Sequence, residues 1–161
     1  MRKVLAVSAR DCVGCRTCEL TCSIQHEGSY VPWLARIRII KDEETCTAVP
    51  NVCRQCRNPR CVTSCPVGAI KISPATGSPV VDEVECIGCR ECLGGCPFGA
   101  VSFNPGKGVA VICDLCGGSP ACAAACPTEA LRYISVEEQV SRVTRSRTRG
   151  IPPAGDSEAD E

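Results

Sequence analysis

The chain has 161 residues, 18 basic and 18 acidic side chains, one histidine and only 3% aromatics, yet it carries 17 cysteines. The 44% hydrophobic content falls to about a third without the cysteines, which leaves a thin core and room for one or two small domains. No apolar run approaches the roughly 20 residues of a membrane-spanning helix, so no membrane span is expected, and no G-x-G-x-x-G or phosphate loop is present, so nucleotide chemistry is unsupported.

The chain begins Met1-Arg2-Lys3, followed by an apolar run, Val4 to Val7, that ends at Ser8-Ala9-Arg10-Asp11. It is too short for a secretory leader and reads as a strand. A cytoplasmic location is therefore expected. There thiols stay reduced, and clustered cysteines read as metal sites rather than disulfides.

Four cysteine quartets follow. The first is Cys12, Cys15, Cys18 and Cys22, with gaps of 2-2-3, and Ser23 follows it instead of proline. Residues 25–49 read as an insertion with Tyr30, Trp33, a strand Ile37-Arg38-Ile39-Ile40, and Cys46, the unpaired thiol. Tyr30 and Trp33 are packing residues or a docking patch. Cys46 is an idle or buried thiol, with a redox contact or spare ligand as the lesser reading. His26, the lone histidine, reads as a surface or structural residue rather than a catalytic one.

The second quartet, Cys53, Cys56, Cys61 and Cys65, has gaps of 2-4-3 and runs into Pro66-Val67-Gly68-Ala69-Ile70-Lys71-Ile72. A hairpin-type turn at 74–79 and a strand from Val80 to Val84 are expected next. The third, Cys86, Cys89, Cys92 and Cys96, has gaps of 2-2-3 and runs into Pro97-Phe98-Gly99-Ala100-Val101-Ser102-Phe103. A second turn at 104–108 and a strand from Val109 to Ile112 lead to the fourth, Cys113, Cys116, Cys122 and Cys126, with gaps of 2-5-3. Its tail is Pro127-Thr128-Glu129-Ala130-Leu131-Arg132-Tyr133. Each tail is a turn and then an apolar/polar alternation, the signature of a short strand. The repeat is strand, cysteine loop, helical turn, strand. Two repeats make one ferredoxin-like unit, and four make two, in an α+β fold.

The spacing C-x2-C-x2-C-x3-C-P is that of bacterial ferredoxins, whose thiolates hold [4Fe–4S] clusters. Sixteen such ligands make four clusters. Zinc sites instead use two cysteine pairs a dozen or more residues apart, whereas each quartet here falls within fourteen residues. Iron in a cubane takes one soft thiolate each. Gly14, Gly88, Gly117 and Gly118 let the loops wrap closely and leave N–H groups for the sulfurs. In two-cluster ferredoxins the last cysteine of a motif serves the other cluster. A cluster with its thiolates carries roughly −2, so four bring the loaded chain to roughly −8. Arg16, Arg54, Arg57, Arg60 and Arg90 either offset this charge or are solvated.

Ser135 followed by Glu138 predicts a capping box and a helix over about 136–147, crowded with Arg142, Arg145, Arg147 and Arg149. Pro152-Pro153 ends it, before an acidic terminus of Asp156, Glu158, Asp160 and Glu161. The tail is a frayed end or an arm for an acidic partner surface. The loaded chain's negative charge argues against nucleic acid as its target.

These motifs, above all "CRQCRNPRCVTSCPVGAI" and "CDLCGGSPACAAACPTEAL", resemble the four-cluster iron–sulfur subunits of molybdenum and tungsten oxidoreductases. Electron-transfer subunits of dimethyl sulfoxide reductase and formate dehydrogenase are related. The resemblance spans about residues 4–134 and is nearest to the compact polyferredoxin subunits of tungsten aldehyde oxidoreductase and benzoyl-CoA reductase. It implies that motif one pairs with motif four and motif two with motif three. One cluster would use Cys12, Cys15, Cys18 and Cys126, and its mate Cys113, Cys116, Cys122 and Cys22. The second pair would use Cys53, Cys56, Cys61 with Cys96, and Cys86, Cys89, Cys92 with Cys65. Residues 1–24 and 104–134 would form one unit and 50–103 the other, with 25–49 inserted and 135–161 as a partner-binding arm. The clusters would lie in a row.

The function implied is an electron-transfer subunit with four [4Fe–4S] clusters and no catalytic site of its own. It would link a catalytic subunit, tungsten- or molybdenum-pterin dependent, to another subunit, flavin or NAD dependent, or to a soluble ferredoxin. Self-association stays open. The alternative is a free-standing polyferredoxin shuttle serving a hydrogenase or carbon monoxide dehydrogenase. A sensor or maturation role would need a labile cluster or an effector domain, and neither is evident.

Overall fold

The computed structural model describes the backbone of residues 2–148 and the side chains of residues 2–142. Eight short strands form four antiparallel two-stranded ribbons. β1 (Lys3–Val7) pairs with β8 (Leu131–Ser135), β2 (Ile37–Asp42) with β3 (Thr47–Val52), β4 (Ile70–Ile72) with β5 (Pro79–Val81), and β6 (Ser102–Asn104) with β7 (Val109–Val111). Each of the last three ribbons joins one motif's tail to the strand leading into the next motif. The first joins the fourth motif's tail to the strand that precedes motif one.

The turns between strands follow from their side chains. Asn104 Oδ1 accepts the N–H groups of Gly106 (3.0 Å) and Lys107 (3.1 Å), the Asx geometry that favours this residue in turns. The turn between β4 and β5 is closed by Ser73 N–H to Ser78 O at 2.9 Å. The strand expected over Val80 to Val84 stops at Val81. Asp82 Oδ1 takes the N–H groups of Val84 and Glu85, which turns the chain away from the ladder. In the insertion, the expected strand is the first arm of a hairpin with register Ile37↔Val52 and Ile39↔Pro50. Ile37 and Ile39 point inward and Ile40 outward, the two-residue alternation of a half-buried strand.

Five α-helices, with 3-10 turns at Pro32–Leu34 and Leu115–Gly118, complete the fold among the described residues. α1 (Thr17–Glu27) is eleven residues long, whereas α2 (Arg60–Thr63), α3 (Glu91–Gly95) and α4 (Ala121–Ala124) are single turns. The difference traces to one residue. Proline disfavours helical backbone in the residue before it, so Pro66, Pro97 and Pro127 keep the last cysteines out of their helices, which end at Thr63, Gly95 and Ala124. Ser23 permits α1 to continue to Gly28, whose φ of 67° and N–H bond to Ile24 O (2.9 Å) end it. Ser23 is fully buried, and its Oγ donates to Leu20 O (2.8 Å) and accepts Val31 N–H (3.2 Å). Buried Glu19 accepts Ile39 N–H at 2.7 Å and so ties α1 to β2. α1 crosses residue 24 and β3 crosses residue 49, so neither edge of the insertion at 25–49 is an element boundary.

α5 (Val136–Thr148) lies where the capping box predicts, with Glu138 N–H bonded to Ser135 Oγ at 3.1 Å. It packs on β1 and β8. The side chains of Arg145 and Arg147, and all of Arg149 and the acidic end, lie outside the described residues. Among the described residues no helix is long and apolar enough to cross a membrane.

Two hydrophobic cores result. One gathers Leu5, Ile37, Val52, Leu115 and Leu131 with Cys18, Cys22, Cys113 and Cys122. The other gathers Ile70, Val101 and Ile112 with Cys61 and Cys92. Cys53 packs at the edge of both. α1 packs on α4, and α2 on α3.

Candidate metal centres

No disulfide joins any of the 17 cysteines. In each C-x-x-C loop the residue before the second cysteine has left-handed backbone: Gly14 (φ 66°), Gln55 (44°), Gly88 (69°) and Leu115 (61°). The loop conformation is therefore constant and does not demand glycine. Gly117 and Gly118 fall after Cys116 rather than inside its loop. In motifs two and four a non-glycine residue pays the left-handed strain, and both are held by burial: Leu115 is fully buried, and buried Gln55 also bonds Cys53 O at 2.5 Å.

The loops bring cysteines of different motifs together. One cavity is lined by Cys12, Cys15, Cys18 and Cys126. A second is lined by Cys53, Cys56, Cys61 and Cys96, and a third by Cys65, Cys86, Cys89 and Cys92. None of the three has a carboxylate or an imidazole in its lining. Such purely sulfur donor sets suit iron–sulfur clusters. Arginines stand at the cavities: Arg16 at the first, Arg54 and Arg60 at the second, Arg90 at the third. All are exposed, as is Arg57, which lines none. Arg90 stacks over Phe103 at 4.0 Å and Arg54 over Phe98 at 5.9 Å. These arginines are surface charges near the sites, not buried counterions.

Cys22, Cys113, Cys116 and Cys122 meet in the interior between α1 and α4. Their proximity is felt as charge. Burial first, then the sulfurs of Cys22, Cys116 and Cys18, push the Cys122 thiol up to about 12. Burial lifts Cys113 far above its ordinary value, with Cys122, Cys53 and Cys22 adding to it. Burial likewise pushes Cys18 up to about 12, and Cys53 and Cys92 to about 11. The sulfurs that repel Cys53 are Cys61, Cys56 and Cys96, and those that repel Cys92 are Cys86, Cys89 and Cys65. At the surface the order reverses: Thr17 hydrogen bonds lower exposed Cys15.

These shifts set a pH dependence. Without metal, the folded thiols hold their protons to about pH 11 or 12, whereas unfolded thiols release them near 9.0. The folded chain then binds more protons, so its stability is full below about pH 9 and falls as pH rises toward 12. Urea midpoints of the metal-free, reduced chain are expected to fall across that window, and a rise would contradict the assignment. Metal uptake releases the same protons, so it is favoured by higher pH.

Two residues unremarked or undervalued in the sequence stand at this interior group. Arg36 N–H donates to Cys22 Sγ at 3.2 Å, and its guanidinium pairs with Asp114 Oδ2 at 2.7 Å. His26 Nε2 lies 3.6 Å from both Cys116 Sγ and Asp114 Oδ1. It is structural in part, as expected, but its place against a cysteine sulfur 90 residues away was not legible. Burial, with Arg36 alongside, lowers its pKa, so the ring is neutral near pH 7. Cys46 is exposed in the β2–β3 turn at φ 51° and belongs to none of these groups. Tyr30 and Trp33 are also exposed, 72% and 69%, so they are not packing residues. Their loop is fixed by Arg38, which donates to the carbonyls of Pro32, Trp33 and Ala35.

Residues 44–136 match the 4Fe-4S dicluster domain family, and the chain belongs to it. The matched stretch holds motifs two to four, and motif one precedes it. The chain is 42% identical over 122 residues to the polyferredoxin-like subunit of aliphatic sulfonate oxidoreductase from Pyrococcus furiosus, covering 76% of this chain and 70% of that one. It is 40% identical to the putative electron transport protein YsaA of Escherichia coli K12, covering 94% and 99% respectively. A solved structure of the active site complex BamBC of benzoyl-CoA reductase aligns over 91% of this chain and 90% of that one, with a TM-score of 0.48 at 22% identity. That likeness is too loose to bear on function.

Proposed function

We propose that this chain is an electron-transfer subunit that holds four [4Fe–4S] clusters in a row and has no catalytic site of its own. The observation that carries this reading is the meeting of cysteines from two motifs at each of three sulfur-lined cavities. The ligand sets are Cys12, Cys15, Cys18, Cys126; Cys22, Cys113, Cys116, Cys122; Cys53, Cys56, Cys61, Cys96; and Cys65, Cys86, Cys89, Cys92. When bound, a [4Fe–4S] cluster accepts and releases single electrons. The protein's part is to hold the thiolates, shield them and donate N–H groups to their sulfurs.

Neighbouring sulfurs support an order for the row. Cys18 influences Cys122, and Cys53 influences Cys113. This supports an order in which the interior set stands between the sets of Cys18 and Cys53, with the set of Cys89 at the far end. Two units are proposed, one from residues 1–24 and 104–134, the other from 50–103; the presence of two cores favours two units, although Val52 packs in the first core and Ala110 and Ile112 in the second, across those bounds. Exposed Cys15 and Cys89 mark the two ends.

The partner proposed is a catalytic oxidoreductase subunit with a tungsten or molybdenum pterin, electrons leaving to another subunit or a soluble carrier. A relative named as a polyferredoxin-like subunit of an oxidoreductase supports a catalytic oxidoreductase partner. The rigid, exposed Tyr30 and Trp33 favour a bound subunit over a free shuttle, since aromatics anchor interfaces. Anaerobically purified protein is expected to contain about sixteen iron atoms per chain. About eight or fewer would sink the four-cluster reading. Isolation of the native chain alone, with no co-purifying subunit, would favour the shuttle instead.

A further inference from the structure

Only α1 outlasts its last cysteine. Cys22 and His26 are four residues apart on that helix, so they share a face. In motifs two to four the proline after the last cysteine ends the helix, and no residue can occupy the equivalent place. The continuation of α1 thus delivers a side chain to the interior ligand set that the other sets lack. His26 reaches Cys116 Sγ at 3.6 Å from a side chain only 11% exposed.

The tautomer follows from its neighbours. Nε2 faces Asp114 Oδ1 and the Cys116 sulfur, and a carboxylate and a ligating thiolate are both acceptors. Nε2 must therefore carry the hydrogen. Asp114 Oδ1 also accepts Cys116 N–H at 2.9 Å, and its other oxygen is paired with Arg36, which fixes the carboxylate beside the ring. Among the described residues no other cysteine sulfur has an imidazole or charged side chain in hydrogen-bonding reach. The other side-chain contacts to cysteine sulfurs come from neutral hydroxyls, Thr128 Oγ1 to Cys126 Sγ at 3.8 Å and Thr17 to Cys15.

We propose that His26 is a positioning residue that raises the reduction potential of the cluster held by Cys22, Cys113, Cys116 and Cys122, by donating Nε2–H to the Cys116 sulfur. The inference rests on the ligand sets proposed above. An added electron increases negative charge on the sulfurs, and a donor aimed at one of them stabilises the reduced form. One electron is gained, and no bond or proton is transferred.

The test is a redox titration of the anaerobic holoprotein, followed by electron paramagnetic resonance with iron analysis alongside. His26→Leu is expected to retain its iron and to move one titration step to lower potential. The equilibrium constant for that step should fall about tenfold, which is about 59 mV for one electron. His26→Gln, whose amide nitrogen reaches the same position, is expected to keep the parent potential. A Leu variant with full iron and unshifted steps would overturn the proposal. If the Leu variant loses iron, His26→Asn, with its amide short of the sulfur, is compared with Gln, and equal potentials overturn it instead. The ligand reading fails separately: Cys116→Ser with all its iron and every cluster signal intact would remove it, whatever His26 does.

Discussion

Replacing Cys113 with serine is expected to remove one cluster and sever the row at an interior position. Cys113 is buried, 7% exposed, two residues past the end of β7, and its sulfur is influenced by Cys122 and Cys22 of its proposed set and by Cys53 of the set proposed next to it. A serine oxygen is a hard, weakly acidic donor and replaces a soft thiolate poorly on iron. Iron should fall by about a quarter, from about sixteen to about twelve atoms per chain. Loss at exposed Cys89 should cost as much iron but leave the remaining sets contiguous. The two serine variants, reduced from a donor at one end, therefore separate the roles. Cys113→Ser should leave the clusters beyond the break unreduced on the timescale of the parent, whereas Cys89→Ser should leave the other three in communication. Parent-like iron content or parent-like reduction in Cys113→Ser would contradict the interior placement.

The second large effect concerns Gly88. Its φ is +69°, and a Cβ added there would lie 2.5 Å from Gly108 O, a backbone atom at the foot of β7. Left-handed backbone alone costs an L-residue about 1–2 kcal/mol. The carbonyl cannot rotate away without dragging the β6–β7 ribbon, so the clash adds to that cost. Gly88→Ala is expected to destabilise the loaded protein by about 3 kcal/mol or more, in the range reserved for backbone strain and overpacking. Gly99→Ala is the control. It has a similar φ of +58° but nothing within 4 Å of the added Cβ, so only the conformational cost of about 1–2 kcal/mol remains. Denaturant midpoints of the two variants should differ accordingly, and equal shifts would show that the approach of Gly108 is not limiting.

Much of this architecture was legible because its signals are local. The cysteine spacing, the Cys-Pro stops, the turns at 74–79 and 104–108 and the cap at Ser135 each depend on a handful of consecutive residues. Less legible were the features decided by distant contacts. β3 contains Pro50, which argues against a strand, yet it pairs opposite Ile39 because it lies on the edge of a two-stranded ribbon. Gln55 and Leu115 hold left-handed backbone that their side chains disfavour, and only the cores around them reveal why. The missing proline after Cys22 could be seen as an anomaly, but not as the reason a helix extends far enough to carry His26 to Cys116.

The pairing of β1 with β8 has one more consequence. Each ribbon hands the chain to the next motif, and this one hands the last motif back to the first, so the four repeats form a closed cycle. In such a cycle the position of the break is topologically arbitrary. Lys3 of β1 stands opposite Ser135 of β8, so the two ends of the repeat array lie side by side, the arrangement most readily joined, and the solvent-exposed β2–β3 turn around Cys46 offers a place for a new opening. A circularly permuted chain opened there would still contain all four cysteine quartets, all four ribbons and both cores. What the natural order adds is the placing of α5, which follows β8 and packs beside that closing ribbon.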